Sequence, residues 1–273
     1  MPSAATPSGA AAPVSWSQDP VAAARRALAC LDLTSLNLQD TEADIARLCE
    51  RAQGRFGAVA AVCVWPRLAA FARSQLPPGV AVAAVANFPD GSADVQRALR
   101  DVGEIVQAGA QEVDVVLPYA ALQAGDDAAV AALLQAVRRA SEGLRLKVIL
   151  ETGVLQETAL MQRACELALE AGADFLKTST GKTPVSATPQ SAAVLLQAIA
   201  AHPQARHRVG FKPSGGIRSV ADAAVYLELT QQWLGPQALQ PQRFRIGASS
   251  VLSDIEAVLS GQASAGTPAA SGY

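Results

Sequence analysis

Eight short apolar runs, each followed by a stretch with helical character, constrain this chain more than any other feature. They read LACLDLT, AVAAVCVW, VAVAAVANF, EVDVVLP, LRLKVILE, DFLKTST, RVGFKPS and RFRIGAS. Each has the length and β-branched content of a buried strand. Landmarks near their ends, Thr34, Val64, Ala86, Leu117, Leu150, Lys177, Lys212 and Gly247, lie 22 to 35 residues apart. That leaves room for one helix per unit, the crossover that parallel strands require. Eight repeats favour closure into a single-domain α/β fold, a (β/α)8 TIM barrel, and the 273 residues match the roughly 250 that such a barrel uses. A doubly wound open sheet is the alternative. It would carry a glycine fingerprint after its first strand, and DLTSLN contains no glycine.

The intervening segments carry helix signals. One begins soon after Ser92, runs through Asp94-Val95-Gln96-Arg97-Ala98-Leu99 and meets a stopping glycine at Gly109. The barrel is expected over residues 21–259. Residues 1–20, rich in Ala, Pro and Ser with no charge before Asp19, read as a disordered extension, and residues 260–273 as a flexible tail ending in Tyr273.

Charge and cysteine content exclude several function classes. The 22 basic and 24 acidic residues nearly cancel, which leaves no positive excess for nucleic acid or an anionic membrane. Cys30, Cys49, Cys63 and Cys165 form no C-x-x-C pair, as expected of reduced thiols in a cytoplasmic protein. No apolar stretch of about 20 residues and no secretory leader is apparent in the sequence.

Lysine usage points to chemistry. The chain has 18 arginines and only four lysines, Lys147, Lys177, Lys182 and Lys212, all in or just beyond a predicted strand. Unlike arginine, lysine can lose its proton and act as a nucleophile. Strand side chains alternate faces, so parity sends Asp32, Asp114, Lys147, Lys177 and Lys212 toward the barrel axis. Five ionisable groups from five strands then converge on one interior, a costly arrangement that concentrates at functional sites. A free lysine is unprotonated in only about one molecule in 2,500 at pH 7. A neighbouring ammonium and loss of water both favour the neutral amine, and Lys177 and Lys212 on adjacent strands could form such a pair. Asp114 could then move protons during amine attack on a carbonyl. An internal echo supports this pairing: Gly109 and Gly172 each precede an inward ionisable residue by five positions, Asp114 and Lys177.

The loops after the seventh and eighth runs, Pro213-Ser214-Gly215-Gly216 and Ala248-Ser249-Ser250, occupy the usual phosphate position of such barrels. Adjacent glycines let backbone N–H groups approach an oxyanion, and a helix beginning near Ser249 and Ser250 would add partial positive charge. His202 and His207 lie together before the seventh run, away from that end, and no metal-ligand constellation is apparent. These features indicate a lysine Schiff-base enzyme acting on a small sugar phosphate and disfavour a metal-dependent aldolase.

The segments DLTSLN, CVWPR, NFPDG, EVDVVLPY, KVILETG, ADFLKTSTGK, GFKPSGGIR and IGASS, in this order from about Cys30 to Ser260, resemble the deoxyribose-phosphate aldolase family. The resemblance implies a class I aldolase that uses neither metal nor organic cofactor, a carbon–carbon lyase of deoxyribonucleotide catabolism. It would reversibly cleave 2-deoxy-D-ribose 5-phosphate to acetaldehyde and D-glyceraldehyde 3-phosphate. By motif, Lys177 would form the Schiff base, and Asp114 and Lys212 would donate and accept protons. Gly181, Lys182, Gly215, Gly216, Ser249 and Ser250 would hold the phosphate. Thr180 would contact substrate hydroxyls or cap its turn, Asp32 and Lys147 would hold the two other lysines, and Tyr273 would assist at the enamine or stand idle. Barrels of this kind often pair through outer helices, so a homodimer is expected. Another Schiff-base sugar-phosphate aldolase or a transaldolase-like barrel, and a non-catalytic sugar-phosphate-binding barrel, remain as alternatives.

Overall fold

Each apolar run becomes a strand, trimmed to the residues whose two faces are both covered. The computed structural model describes residues 15–262. Its strands are β1 (Leu31–Thr34), β2 (Ala61–Val64), β3 (Ala81–Ala86), β4 (Glu112–Val116), β5 (Arg145–Ile149), β6 (Phe175–Lys177), β7 (Gly210–Lys212) and β8 (Ile246–Ala248). Hydrogen-bonded neighbours follow the order β8-β1-β2-β3-β4-β5-β6-β7, all parallel. Parallel bridges Phe211–Phe244 and Ser214–Gly247 close β7 onto β8. A two-residue antiparallel ladder, Gln53–Gly54 with Gly57–Ala58, decorates the first crossover.

Outward residues such as Leu31, Leu33, Val62, Val113, Leu146, Leu176 and Phe211 are fully buried beneath the helices. A Val, Leu or Phe removed from water this completely contributes about 1.5–3 kcal/mol. Small residues on the helices, among them Ala23, Ala24, Ala27, Ala69 and Ala72, let helix and sheet approach closely. Proline opens the helices Pro20–Ala29, Pro66–Gln75 and Pro189–Ala201, where its missing N–H costs nothing. Capping boxes at Thr41, Thr188 and Ser219 satisfy further free amides. The helix expected after Ser92 spans Val95–Gln107. Asp94 stands outside it as the cap, accepting the Arg97 N–H at 3.0 Å. Gly109, at φ +70°, closes its far end.

Residues 15–19 and 260–262, which the sequence reading assigns to the two tails, are among the described residues. Trp16 is buried against the core and donates to Gln231 Oε1 at 3.2 Å, while Ser17 donates from its N–H and hydroxyl to Glu228 Oε1. One buried indole thus orders residues 15–19 against the helix Val220–Leu234, which the small-residue composition of residues 1–20 concealed. At the other end, Ser260 caps the helix Val251–Leu259. Tyr273 lies outside the described residues. Among the described residues no helix is long and apolar enough to cross a membrane.

Candidate active site

Strand parity places Asp32 (β1), Glu112 and Asp114 (β4), Lys147 (β5), Lys177 (β6) and Lys212 (β7) inside the barrel, with Arg245 just ahead of β8. None is more than 2% exposed. Asp114 lies at the centre: Oδ1 accepts from Lys147 Nζ at 2.7 Å, and Oδ2 from Lys177 Nζ at 2.8 Å and Lys212 Nζ at 2.7 Å. Lys212 also donates to Asp32 Oδ2 at 2.5 Å. Lys147 further contacts Glu112 Oε2 at 2.6 Å and Asp32 Oδ2 at 3.3 Å. Arg245 bridges Asp32 Oδ1 at 2.5 Å and Glu112 Oε1 at 2.7 Å. Gly247 makes this packing possible, because a Cβ there would meet Ser214 Oγ at 2.6 Å and Lys212 Cε at 3.0 Å.

The three lysines differ in how far they are neutralised. Lys147 touches three carboxylates, Lys212 two and Lys177 one. Burial and the Lys212 ammonium, opposed by Asp114, hold Lys177 below the ordinary lysine range. Burial acts on Lys212 in the same sense, but Asp114 and Asp32 outweigh it and raise Lys212 above that range. Lys147 is raised for the same reason, by Asp114, Asp32 and Glu112 against burial. Burial would raise the Asp114 carboxyl, yet Lys147, Lys177 and Lys212 together hold it well below its usual range. In this cluster three carboxylates, Asp32, Glu112 and Asp114, face four cations, Lys147, Lys177, Lys212 and Arg245. One cation is in excess, and Lys177, with a single carboxylate contact, is the least compensated of them.

An apolar wall completes the surroundings of Lys177. Ile149 is its register partner on β5 and belongs to a buried group with Leu36, Cys63, Ala83, Val85, Phe88 and Val116. Such a wall disfavours an ammonium without supplying a competing charge. Cys63 is itself fully buried, and burial pushes its thiol up.

The predicted phosphate residues Gly181, Lys182, Gly215, Gly216, Ser249 and Ser250 all line one cleft of about 320 Å³, together with Thr180. Among the described residues, the cations on its wall are Lys182 and Arg218, and no carboxylate lines it. Lys182 is exposed and donates to the Leu36 carbonyl at 2.8 Å, so its charge spans the mouth. Gly215 and Gly216 adopt φ +83° and +81°, consecutive left-handed conformations open to glycine alone without strain. The helix Val251–Leu259 starts directly after Ser250 and turns its N-terminus to the same cleft. Its Asp254 accepts the Val220 N–H at 2.7 Å, tying the loops after β7 and β8 together.

Three buried residues escaped the sequence reading. Glu112 and Arg245 are two positions before Asp114 and Gly247, so extending the parity test down each strand would have found them. Glu151, at φ 53°, ends β5 and accepts from the Thr180 N–H and hydroxyl and from the Thr183 hydroxyl, fixing the loop that follows Lys177. Burial raises its carboxyl despite these donors. The echo between Asp114 and Lys177 holds within each unit but not across the sheet. Asp114 pairs with Lys147, and Lys147 with Phe175, so Lys177 stands two residues higher and only its long side chain reaches Asp114.

Residues 26–261 match the DeoC/LacD family of aldolases. The chain is 46% identical over 261 residues to a deoxyribose-phosphate aldolase of Agrobacterium fabrum, covering 94% of this chain and 98% of the relative. Among solved structures, a candidate deoxyribose-phosphate aldolase from Coccidioides immitis superposes with a TM-score of 0.75 at 29% identity, covering 85% of this chain and 87% of that one. The deoxyribose phosphate aldolase of Aeropyrum pernix, described as tetrameric, gives 0.70 at 25% identity over 89% of this chain and 97% of its own.

Proposed function

This chain belongs to the DeoC/LacD family of aldolases, and from that premise we propose that it reversibly cleaves 2-deoxy-D-ribose 5-phosphate to acetaldehyde and D-glyceraldehyde 3-phosphate through an imine on Lys177. The observation that carries the reading is the single-carboxylate contact of Lys177 inside a cluster with one surplus cation.

Neutral Lys177 Nζ attacks C1 of the open-chain aldehyde, and the carbinolamine loses water to give an iminium. The Asp114–Lys212 pair supplies the proton that leaves with the hydroxyl and takes up the proton released by nitrogen, since Asp114 Oδ2 lies within 2.8 Å of both amines. Deprotonation of the C3 hydroxyl breaks the C2–C3 bond. Glyceraldehyde 3-phosphate departs, and the bonding electrons pass into an enamine on Lys177. Protonation at C2 and hydrolysis release acetaldehyde and restore the amine. Asp32 and Lys147 hold this arrangement from below, Asp32 by its contact with Lys212 and Lys147 by its contact with Asp114.

The 5-phosphate is assigned to the cleft of Gly181, Lys182, Gly215, Gly216, Ser249 and Ser250, with Thr180 at its inner edge. Lys182→Met is expected to raise KM for 2-deoxyribose 5-phosphate roughly tenfold with kcat nearly unchanged, because the lysine meets the phosphate in ground and transition state alike. Acetaldehyde release from this substrate, set beside release of any aldehyde from ketose phosphates, tests the assignment. Cleavage of a ketose phosphate alone would move the reading to a transaldolase-like enzyme. We place the protein in the cytoplasm, where its four free, buried cysteines would remain reduced, and read it as a homodimer, which sedimentation of the full chain decides.

A further inference from the structure

We propose that Glu112 and Arg245, at the foot of the barrel, are positioning residues for the aldol reaction, setting by their opposite charges the fraction of Lys177 present as free amine; this rests on Lys177 being the imine-forming lysine.

Neither residue lines the substrate cleft. Each is instead joined to Lys177 by unbroken ion pairs. One path runs from Arg245 through Asp32, Lys212 and Asp114, the other from Glu112 through Lys147 and Asp114. Every side chain on both paths is at most 3% exposed, so little water intervenes to screen their charges. Arg145 also pairs with Glu112, but its side chain is 31% exposed at the rim and solvent spreads its charge. Both guanidiniums lie over the Phe175 ring, Arg145 at 5.9 Å and Arg245 at 5.8 Å from its centroid.

The titratable groups facing Lys177 are Asp114 from β4, Lys212 from β7 and Cys63 from β2, and Lys177 also acts through its field on Glu151 beyond β5. Those facing Arg245 are Asp32, Glu112, Lys147 and Cys30. Glu151 is bonded to hydroxyls and an amide rather than to an ammonium, which leaves the count of three carboxylates and four cations intact. Arg245 is the cation that puts the cluster in surplus. Without it Lys177⁺ is matched, and the free amine loses its advantage. Without Glu112 the surplus grows, and the amine is favoured further.

The test is the pH profile of kcat/KM for Arg245→Met, Glu112→Gln and the double variant, with borohydride trapping of the substrate imine in each. Arg245→Met is expected to move the acid limb up by about one pH unit, a roughly tenfold loss below the limb that is recovered above it. Glu112→Gln moves the limb down, and the double variant, again with one surplus cation, lies between. Limbs that stay in place, or that move the same way in both single variants while activity falls at every pH, would assign the pair a purely structural role and overturn the proposal. If Arg245→Met fails to fold, Glu112→Gln decides alone: a downward shift supports the proposal and an unmoved limb overturns it. Absence of a trapped adduct on Lys177 in the unaltered protein would mark failure of the Schiff-base reading itself, and the proposal would fall with it.

Discussion

Lys177→Arg is expected to abolish acetaldehyde release, with a loss of at least about 10⁴-fold, while the protein stays folded. Arginine cannot become a neutral amine at any working pH, so the imine cannot form. It carries a fixed positive charge, however, opposite Asp114 Oδ2, which Lys177 meets at 2.8 Å. Thermal unfolding should therefore shift far less than activity does. The variant separates chemistry from packing, since a lysine whose role was structural would be replaced at small cost. Activity close to normal in a well-folded Lys177→Arg protein would remove the amine from the mechanism.

Asp114→Asn is expected to lower kcat by about 10²–10⁴-fold, the range that general acid–base groups supply. It also leaves two carboxylates facing four cations, and breaking a buried pair in this way costs on the order of 3–5 kcal/mol of stability. The two effects are separable. With the carboxylate gone, Lys177 is freer to lose its proton, so the acid limb should move down and substrate should still be trapped on Lys177, more slowly because carbinolamine dehydration loses its proton carrier, although turnover is nearly lost. That pattern, adduct retained and cleavage lost, identifies Asp114 as the proton carrier. Loss of adduct and cleavage together, in a protein that still unfolds cooperatively, would instead make Asp114 a scaffold for the nucleophile.

How much of this could be read beforehand follows from what periodicity encodes. Alternation along LDLT, EVDVV, LRLKVI, DFLK and GFK sends Asp32, Asp114, Lys147, Lys177 and Lys212 inward, and all five are inside. Parity reports the face of a side chain but not its height, and height is fixed by the stagger of the closed sheet. This is why Asp114 proves level with Phe175 rather than with Lys177. The same limit hid the inequality of the lysines. From sequence, Lys177 and Lys212 form a symmetrical pair, each lowering the other. In the structure Lys212 has gained Asp32 as a second carboxylate and is the fixed cation, while Lys177 alone is lowered. Glu112 and Arg245 stand one inward step below Asp114 and Gly247, where each strand begins and a charged residue reads equally as the exposed end of the preceding loop. Glu151 left no periodic signal, since its left-handed backbone takes it out of the strand. The loops proposed to hold the phosphate are legible because adjacent glycines and a serine pair at a helix start are local features.

The most direct test of the account is borohydride reduction of the protein in the presence of 2-deoxyribose 5-phosphate, followed by peptide mapping of the mass increase. The account predicts one reduced adduct on the peptide carrying Lys177, absent in Lys177→Arg. Measurable cleavage with no adduct, or an adduct on Lys212, would contradict the assignment of Lys177 as the nucleophilic amine.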